Sequence, residues 1–276
     1  EQHGTGFTHE HVAQSWAMNL PPLWVWGAER TALLGLGLEQ HHLLEPAAFE
    51  AIHDVLMLNP GDESCGAMIR VDAYGYACPG NPDLAAWLAF KDASLTHTRT
   101  GVYGAMFVAA LIALCLTADS KVKGNTRLEL ATLALARIPA QSRLSVIIRD
   151  AIDKVAATDD WISAYDQIHG RYRQYTHCQM YQEIGTLLNT LKFADSVDHG
   201  FCIQVSQGND TDSFGATAGS MLGCFFGPEG LGERWLSPLN NRLAHGLSDF
   251  HEYKLDVLSE RMGRLPSLVH RLSVNA

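Results

Sequence analysis

The sequence predicts an all-α protein, one compact multi-helix domain spanning residues 1–276. Three observations predict it. Apolar residues recur at i, i+3, i+4 spacing along most of the chain, alternating β-branched runs are missing, and no low-complexity linker or repeat of about 20–50 residues divides it. Thr8–Asn19 and Ala28–Leu38 read as the first helices. From Asp83, the residues Leu84, Trp87, Leu88, Lys91 and Leu95 fall on one helical face, with Pro82 at a tolerated first-turn position and Gly101 placed to end the segment. A second central helix is expected from about Tyr103 to Thr117. Further helices are expected at Thr126–Arg137, Ser142–Ala157, Asp160–Gln174, Tyr181–Leu191 and Leu247–Met262. Cys202–Val205 alone has strand character and is too short to alter the class.

Composition narrows the function. Twenty Lys+Arg stand against 30 Asp+Glu, a net charge of −10, with 47% apolar and 18% charged residues. This is globular composition, outside the disordered range. A chain without surplus cations is a poor general nucleic-acid binder, so an anionic ligand would need metal ions or backbone N–H groups to neutralise it. The longest apolar run, Val102 to Leu116, is 15 residues, below the ~18–20 that span a bilayer; a buried core helix is expected there. Six scattered cysteines form no CxxC pair, which suits a reduced, cytoplasmic protein without disulfides or a thiolate zinc site.

Glycine marks the informative stretches: PGDESCGAMIR (60–70), YGYACPGNP (74–82), GVYGA (101–105) and GNDTDSFGATAGSMLG (208–223). In the last, Asp210 and Asp212 stand two apart just before a helix, and Gly215, Gly219 and Gly223 recur every four residues along one helix face. Such a ridge admits a close neighbour helix. Two carboxylates and the Ser213 hydroxyl are hard oxygen donors suited to Mg²⁺ or Mn²⁺. An isolated Asp-Thr-Asp could equally N-cap the helix.

The run Gly208-Asn209-Asp210-Thr211-Asp212-Ser213 with its glycine ridge resembles the C-terminal metal motif of the ADP-ribosylglycohydrolase family, which includes dinitrogenase-reductase activating hydrolases and J1-crystallins. DASLTHTRTGVYGAMFVAALIA (92–113) is similar to that family's central Thr-His helix pair. GAMIRVDAYGYACPGNP (66–82) is similar to its Gly-x-Met-Arg-type loop, and Trp235-x-x-Pro238-Leu239 to its post-motif Trp segment. The similarity runs from about residue 8 to 262, in the family's order.

The resemblance implies an all-α hydrolase that holds two Mg²⁺ (or Mn²⁺) ions and cleaves the glycosidic bond between ADP-ribose and a protein side chain. Asp210, Asp212 and Ser213 would be metal ligands, and Asp210 and Asp212 the catalytic carboxylates. Ser64, Gly66 and Met68 match a segment that wraps the distal ribose and phosphate; His97 matches a histidine near the diphosphate; Gly101, Tyr103 and Gly104 would offer N–H donors at a helix start. Expected partners are ADP-ribose or an ADP-ribosylated protein, with neither nucleic acid nor membrane. The family's Thr/Ser-Asp-Asp motif belongs upstream of the segment that HGTGFTHEHVAQSW resembles. The chain opening at Glu1 is therefore expected to be N-terminally truncated relative to the family, to carry half of a binuclear site, and to turn over little. The alternative is a non-catalytic ADP-ribose-binding or crystallin-like relative.

Other residues carry less. Thr158-Asp159-Asp160 spells the missing motif but falls between the central and C-terminal motifs, where it reads as a helix cap. Arg70 could pair with a phosphate, with Asp72 or with another internal acid. Tyr74 and Tyr76 could stack on adenine or pack internally. His9-Glu10-His11 and His41-His42 lack a spaced acidic partner and read as exposed surface.

Overall fold

The computed structural model describes residues 2–40 and 59–274. Thirteen α-helices occur among them, with no strand beyond one isolated bridge between Arg242 and Lys254. They are α1 (His9–Asn19), α2 (Gly27–Gln40), α3 (Asp72–Ala77), α4 (Pro82–Ala93), α5 (Arg99–Cys115), α6 (Asn125–Leu135), α7 (Arg143–Ala156), α8 (Trp161–Tyr172), α9 (Tyr181–Phe193), α10 (Val197–Ser206), α11 (Thr211–Phe226), α12 (Glu233–Leu236) and α13 (Leu255–Val274). His41-His42 lies outside the described residues.

The core is built around α5, which is buried on every side and packs against α3, α4, α6 and α11. That explains its Gly- and Ala-rich sequence: small residues let several helices approach one axis. This is the core helix expected from the Val102–Leu116 run, and no helix of the described residues is long and apolar enough to cross a membrane. Helix α7 shows the ordinary amphipathic pattern, burying Leu144, Ile147, Ile148, Ala151 and Val155.

Two buried cations close helix ends. Arg127 is 1% exposed, donates to the carbonyls of Val122 and Leu191, and lies over the Phe225 and Phe226 rings. Lys192 donates to the Val155 carbonyl in the last turn of α7 and to the Thr158 carbonyl just past it. Each reaches a carbonyl in the last turn of a helix, Leu191 of α9 and Val155 of α7, where the intrahelical ladder runs out.

Several boundaries differ from the sequence expectation. Helix α4 starts at Pro82 behind the Asn81 cap but ends at Ala93, short of Gly101, because Arg99 already opens α5 behind Thr98. Cys202–Val205 is helical within α10. The expected helix from Leu247 begins only at Leu255: His245 stacks on Tyr253 and accepts from the Leu247 N–H, which holds that stretch as a loop. The Thr158-Asp159-Asp160 segment does cap α8, with the Asp160 carboxylate accepting from the Ile162 and Ser163 N–H groups.

Glycine positions give a direct test of this packing. A Cβ on Gly75 would sit 2.6 Å from Ile112 Cβ and 3.0 Å from the Ala109 carbonyl oxygen, both fixed to the α5 backbone. Gly170, exposed inside α8, has nothing within 4 Å. Gly75→Ala should lower stability by about 1–3 kcal/mol through overpacking, whereas Gly170→Ala should raise it by up to ~1 kcal/mol through helix propensity. Thermal melts of the two variants check the opposite signs.

Candidate functional site

The Asp210 segment is fixed by α9 and α10 before α11 begins. Between those two helices runs a buried polar network. Asn189 Nδ2 donates to Gln207 Oε1 at 2.7 Å, Thr190 Oγ1 to Gln204 Oε1 at 2.8 Å, and Gln204 Nε2 to Thr186 Oγ1 at 2.9 Å. Beyond Gln207 the chain reverses through Gly208 and Asn209, at φ of +77° and +63°. This left-handed pair is one that glycine and asparagine tolerate. Asn209 Nδ2 reaches back to Gln182 Oε1 at 3.3 Å.

Asp210 thus stands at the N-cap position of α11, yet its carboxylate makes no side-chain capping bond. It turns instead to its neighbours. Burial pushes the Asp210 carboxyl up, and its hydrogen bond to Asp212 adds to the rise; the same bond holds Asp212 down. The two carboxyls lie close enough to influence each other, with the Ser213 hydroxyl beside them. Cys65 Sγ lies 3.9 Å from Asp210 Oδ2, which brings the Ser64–Met68 loop to the same place. The glycine ridge supports the arrangement unevenly. Gly219 admits the Phe201 ring of α10, where a Cβ would come within 2.8 Å, Gly215 lies beside Val205, and Gly223 meets nothing within 4 Å.

Glu183, on the first turn of α9, is the site residue that the sequence reading missed. It is 1% exposed, and neither carboxylate oxygen has a hydrogen-bond partner. Burial pushes its carboxyl up to about 8, helped by the charge of Asp210. Its signal in the sequence was an acid within Tyr181–Phe193, a helix that buries nearly every residue.

The remaining expected residues gather around the Ser64–Met68 loop and the start of α5. Ser64 Oγ donates to the Gly61 carbonyl. Met68 is fully buried, and Gly104 packs beneath Met68 and Met180, with a Cβ position 3.2 Å and 2.6 Å from their sulfurs. A Cβ on Gly101 would come within 2.7 Å of the His97 ring and 2.8 Å of the Asp62 carbonyl oxygen. His97 is 2% exposed; burial and the nearby Arg70 push it down to about 3, so it is neutral, and its Nε2 has no hydrogen-bond partner. Its Nδ1 lies 2.7 Å from Thr96 Oγ1. Tyr103 is half-buried on the same helix.

Under this loop lies an ion cluster. Arg70 donates to Glu29 at 2.5 Å, Asp92 at 3.3 Å and Thr96 Oγ1 at 3.0 Å, with Trp16 over its guanidinium. Arg70 is thus paired with internal acids, while Asp72 accepts from Ser220. The Glu29 carboxylate, held by Arg70, occupies the space a Gly66 side chain would fill, so a side chain there would have to displace that ion pair. Tyr74 stacks on Phe7, and Tyr76 donates to Ser220. His9 pairs with Ser94 and His11 closes the α1 capping box.

Asp210, Asp212 and Ser213 present only hard oxygen donors, and Glu183 adds buried, unpartnered carboxylate oxygens nearby. This donor set fits Mg²⁺ or Mn²⁺. No group of three or more His, Cys, Asp or Glu able to hold a metal ion occurs among the described residues. Asp210 and Asp212 would therefore supply at most part of a coordination shell.

A family match places this all-α bundle, with its Asp-x-Asp-Ser helix start beside a glycine-rich loop, among glycosylhydrolase-type enzymes. The chain matches the ADP-ribosylglycohydrolase family over residues 1–266 and belongs to it. No curated protein matches the chain.

The buried Glu183 sets a pH signature. Its folded pKa of about 8 lies above the ordinary value of 4.5, so the folded chain holds a proton that the unfolded chain releases. The Glu183 contribution to stability is therefore fullest below about pH 4.5 and declines as pH rises toward 8, by up to ~4 kcal/mol; buried neutral His97 acts with the opposite sign below about pH 6.5. The difference between wild type and Glu183→Gln in urea melts in metal-free buffer should isolate the Glu183 decline.

Proposed function

We propose that this chain is a Mg²⁺-dependent hydrolase that cleaves the glycosidic bond between ADP-ribose and a protein side chain, releasing mono-ADP-ribose in the cytoplasm. The observation that carries the reading is the Asp210–Asp212–Ser213 cluster, rigidly presented at the start of α11 beside the Ser64–Met68 loop. Asp210, Asp212 and Ser213 would hold the cation, with Mn²⁺ as a substitute and two ions in the family's full site. When bound, such an ion supplies Lewis acidity to a water and to the ribose hydroxyls.

The chain's own residues do the rest. Asp210 and Asp212, as carboxylates, stabilise positive charge as it develops on the ribose in an oxocarbenium-like transition state. Ser64, Gly66 and the start of α5 at Gly101, Tyr103 and Gly104 form the cradle proposed for the ribose and diphosphate. Met68 and His97 act from beneath it: both are buried, and they fix the loop and the helix start that face the ligand.

Asp212→Ala tests the assignment, because Asp212 is exposed and its loss should leave the circular dichroism unchanged. Release of ADP-ribose from arginine- and serine-linked ADP-ribosyl peptides should require Mg²⁺ and disappear in the variant. Mg²⁺ with ADP-ribose should raise the melting temperature of the wild type alone. Full release by Asp212→Ala would refute the site. ADP-ribose binding without release in the wild type would favour the non-catalytic binding reading.

A further inference from the structure

Two cysteines meet at the edge of the candidate site. Cys65 lies in the Ser64–Met68 loop, and Cys178 lies in the turn at residues 177–179 that precedes α9. The Cys65 backbone N–H donates to the Cys178 carbonyl at 2.9 Å, and the two thiols interact with each other. That backbone bond sets the two residues side by side with their thiols close enough to interact, as a disulfide requires. Both are free thiols, Cys178 exposed and Cys65 buried behind it. Cys115, also buried, senses the Cys224 thiol, but no backbone hydrogen bond joins that pair among the described residues.

From this geometry we infer that Cys65 and Cys178 form a redox-active dithiol pair whose disulfide fastens the Ser64–Met68 loop to the turn before α9. The chemistry balances with a peroxide as oxidant. The fraction of Cys178 ionised at alkaline pH, which partial burial and the charges of Asp210 and Glu183 hold down, attacks one peroxide oxygen. The O–O bond breaks, and the hydroxide released takes up the proton the thiol gave up, leaving a sulfenic acid and one water. The Cys65 thiol then attacks the Cys178 sulfur, the S–O bond breaks, and a second water leaves. Two thiols are oxidised by two electrons as one peroxide is reduced. The bridge would also remove the Cys65 thiol hydrogen that faces Asp210 Oδ2, so oxidation changes the surroundings of the carboxylate pair directly. That consequence rests on the proposed function; the bridge itself does not.

The test oxidises the whole chain with hydrogen peroxide at pH 8.5, blocks remaining thiols with N-ethylmaleimide and maps peptides by mass spectrometry. The expected result is a monomer lighter by two hydrogens, a Cys65–Cys178 linked peptide, and loss of the link on reduction with dithiothreitol. Cys65→Ser should carry Cys178 onward to sulfinic acid, and Cys178→Ser, a change at an exposed position, should leave Cys65 unlinked. A wild type in which Cys178 reaches sulfinic acid as readily as in Cys65→Ser, or in which Cys178 pairs with another cysteine, overturns the inference. The Mg²⁺ and ADP-ribose melting shift, read on reduced and oxidised chain, separates the two claims. A shift absent even from the reduced chain counts against the metal site and leaves the bridge standing. A missing linked peptide removes the bridge whatever the shift.

Discussion

The carboxylate pair depends on the buried amide and hydroxyl network between α9 and α10. Thr186, Asn189 and Thr190 from one helix bond Gln204 and Gln207 from the other with almost no water access. Buried amides are costly when unpaired, whereas each satisfied bond adds only about 1 kcal/mol. Such a network contributes more to register than to stability. A shift of one helix along the other would strand several amides at once. The register of Gln207 is thereby fixed, and with it the left-handed Gly208–Asn209 reversal that delivers Asp210 and Asp212 to the start of α11.

A second constraint sits on the other side of the Ser64–Met68 loop. Arg70, Glu29, Asp92 and Thr96 tie α2, α4 and the loop together, and the Glu29 carboxylate fills the space beside Gly66. The loop is therefore held from below by an ion cluster and touches Asp210 from above through Cys65. This division gives the site contrasting electrostatics. Beneath the loop, acids are balanced by Arg70 and His97 is kept neutral. Beside α11, Asp210, Asp212 and Glu183 have no cation among their described partners; burial and neighbouring acids push the Asp210 and Glu183 carboxyls up, while exposed Asp212 is held down. A site of this kind gains most from a bound cation.

Local pattern made much of the fold readable. The α5 core helix, the Pro82 start behind Asn81, the amphipathic α7 and the Asp160 cap all follow from spacing and capping chemistry within a few residues. The missed features depend on distant partners. The loop at 247–254 is set by His245 against Tyr253, and the end of α4 by where α5 begins. Within the site, Asp210, Asp212 and Ser213 were legible because their spacing is local. Glu183 and Glu29 were not: each matters through residues 27 and 41 positions away, Asp210 and Arg70. Gly66 and Gly101 were read as ligand-facing, and the structure adds a packing reason for each, the Glu29 carboxylate and the His97 ring.

The central claim is that the start of α11 is a divalent-cation site. Titration of metal-free chain with Mn²⁺, followed by the electron paramagnetic resonance signal of the free ion, tests it most directly. The wild type should remove the signal stoichiometrically, Mg²⁺ should restore it, and Asp210→Asn should leave it largely unaltered. Equal Mn²⁺ uptake by wild type and Asp210→Asn, or none by either, would contradict the account.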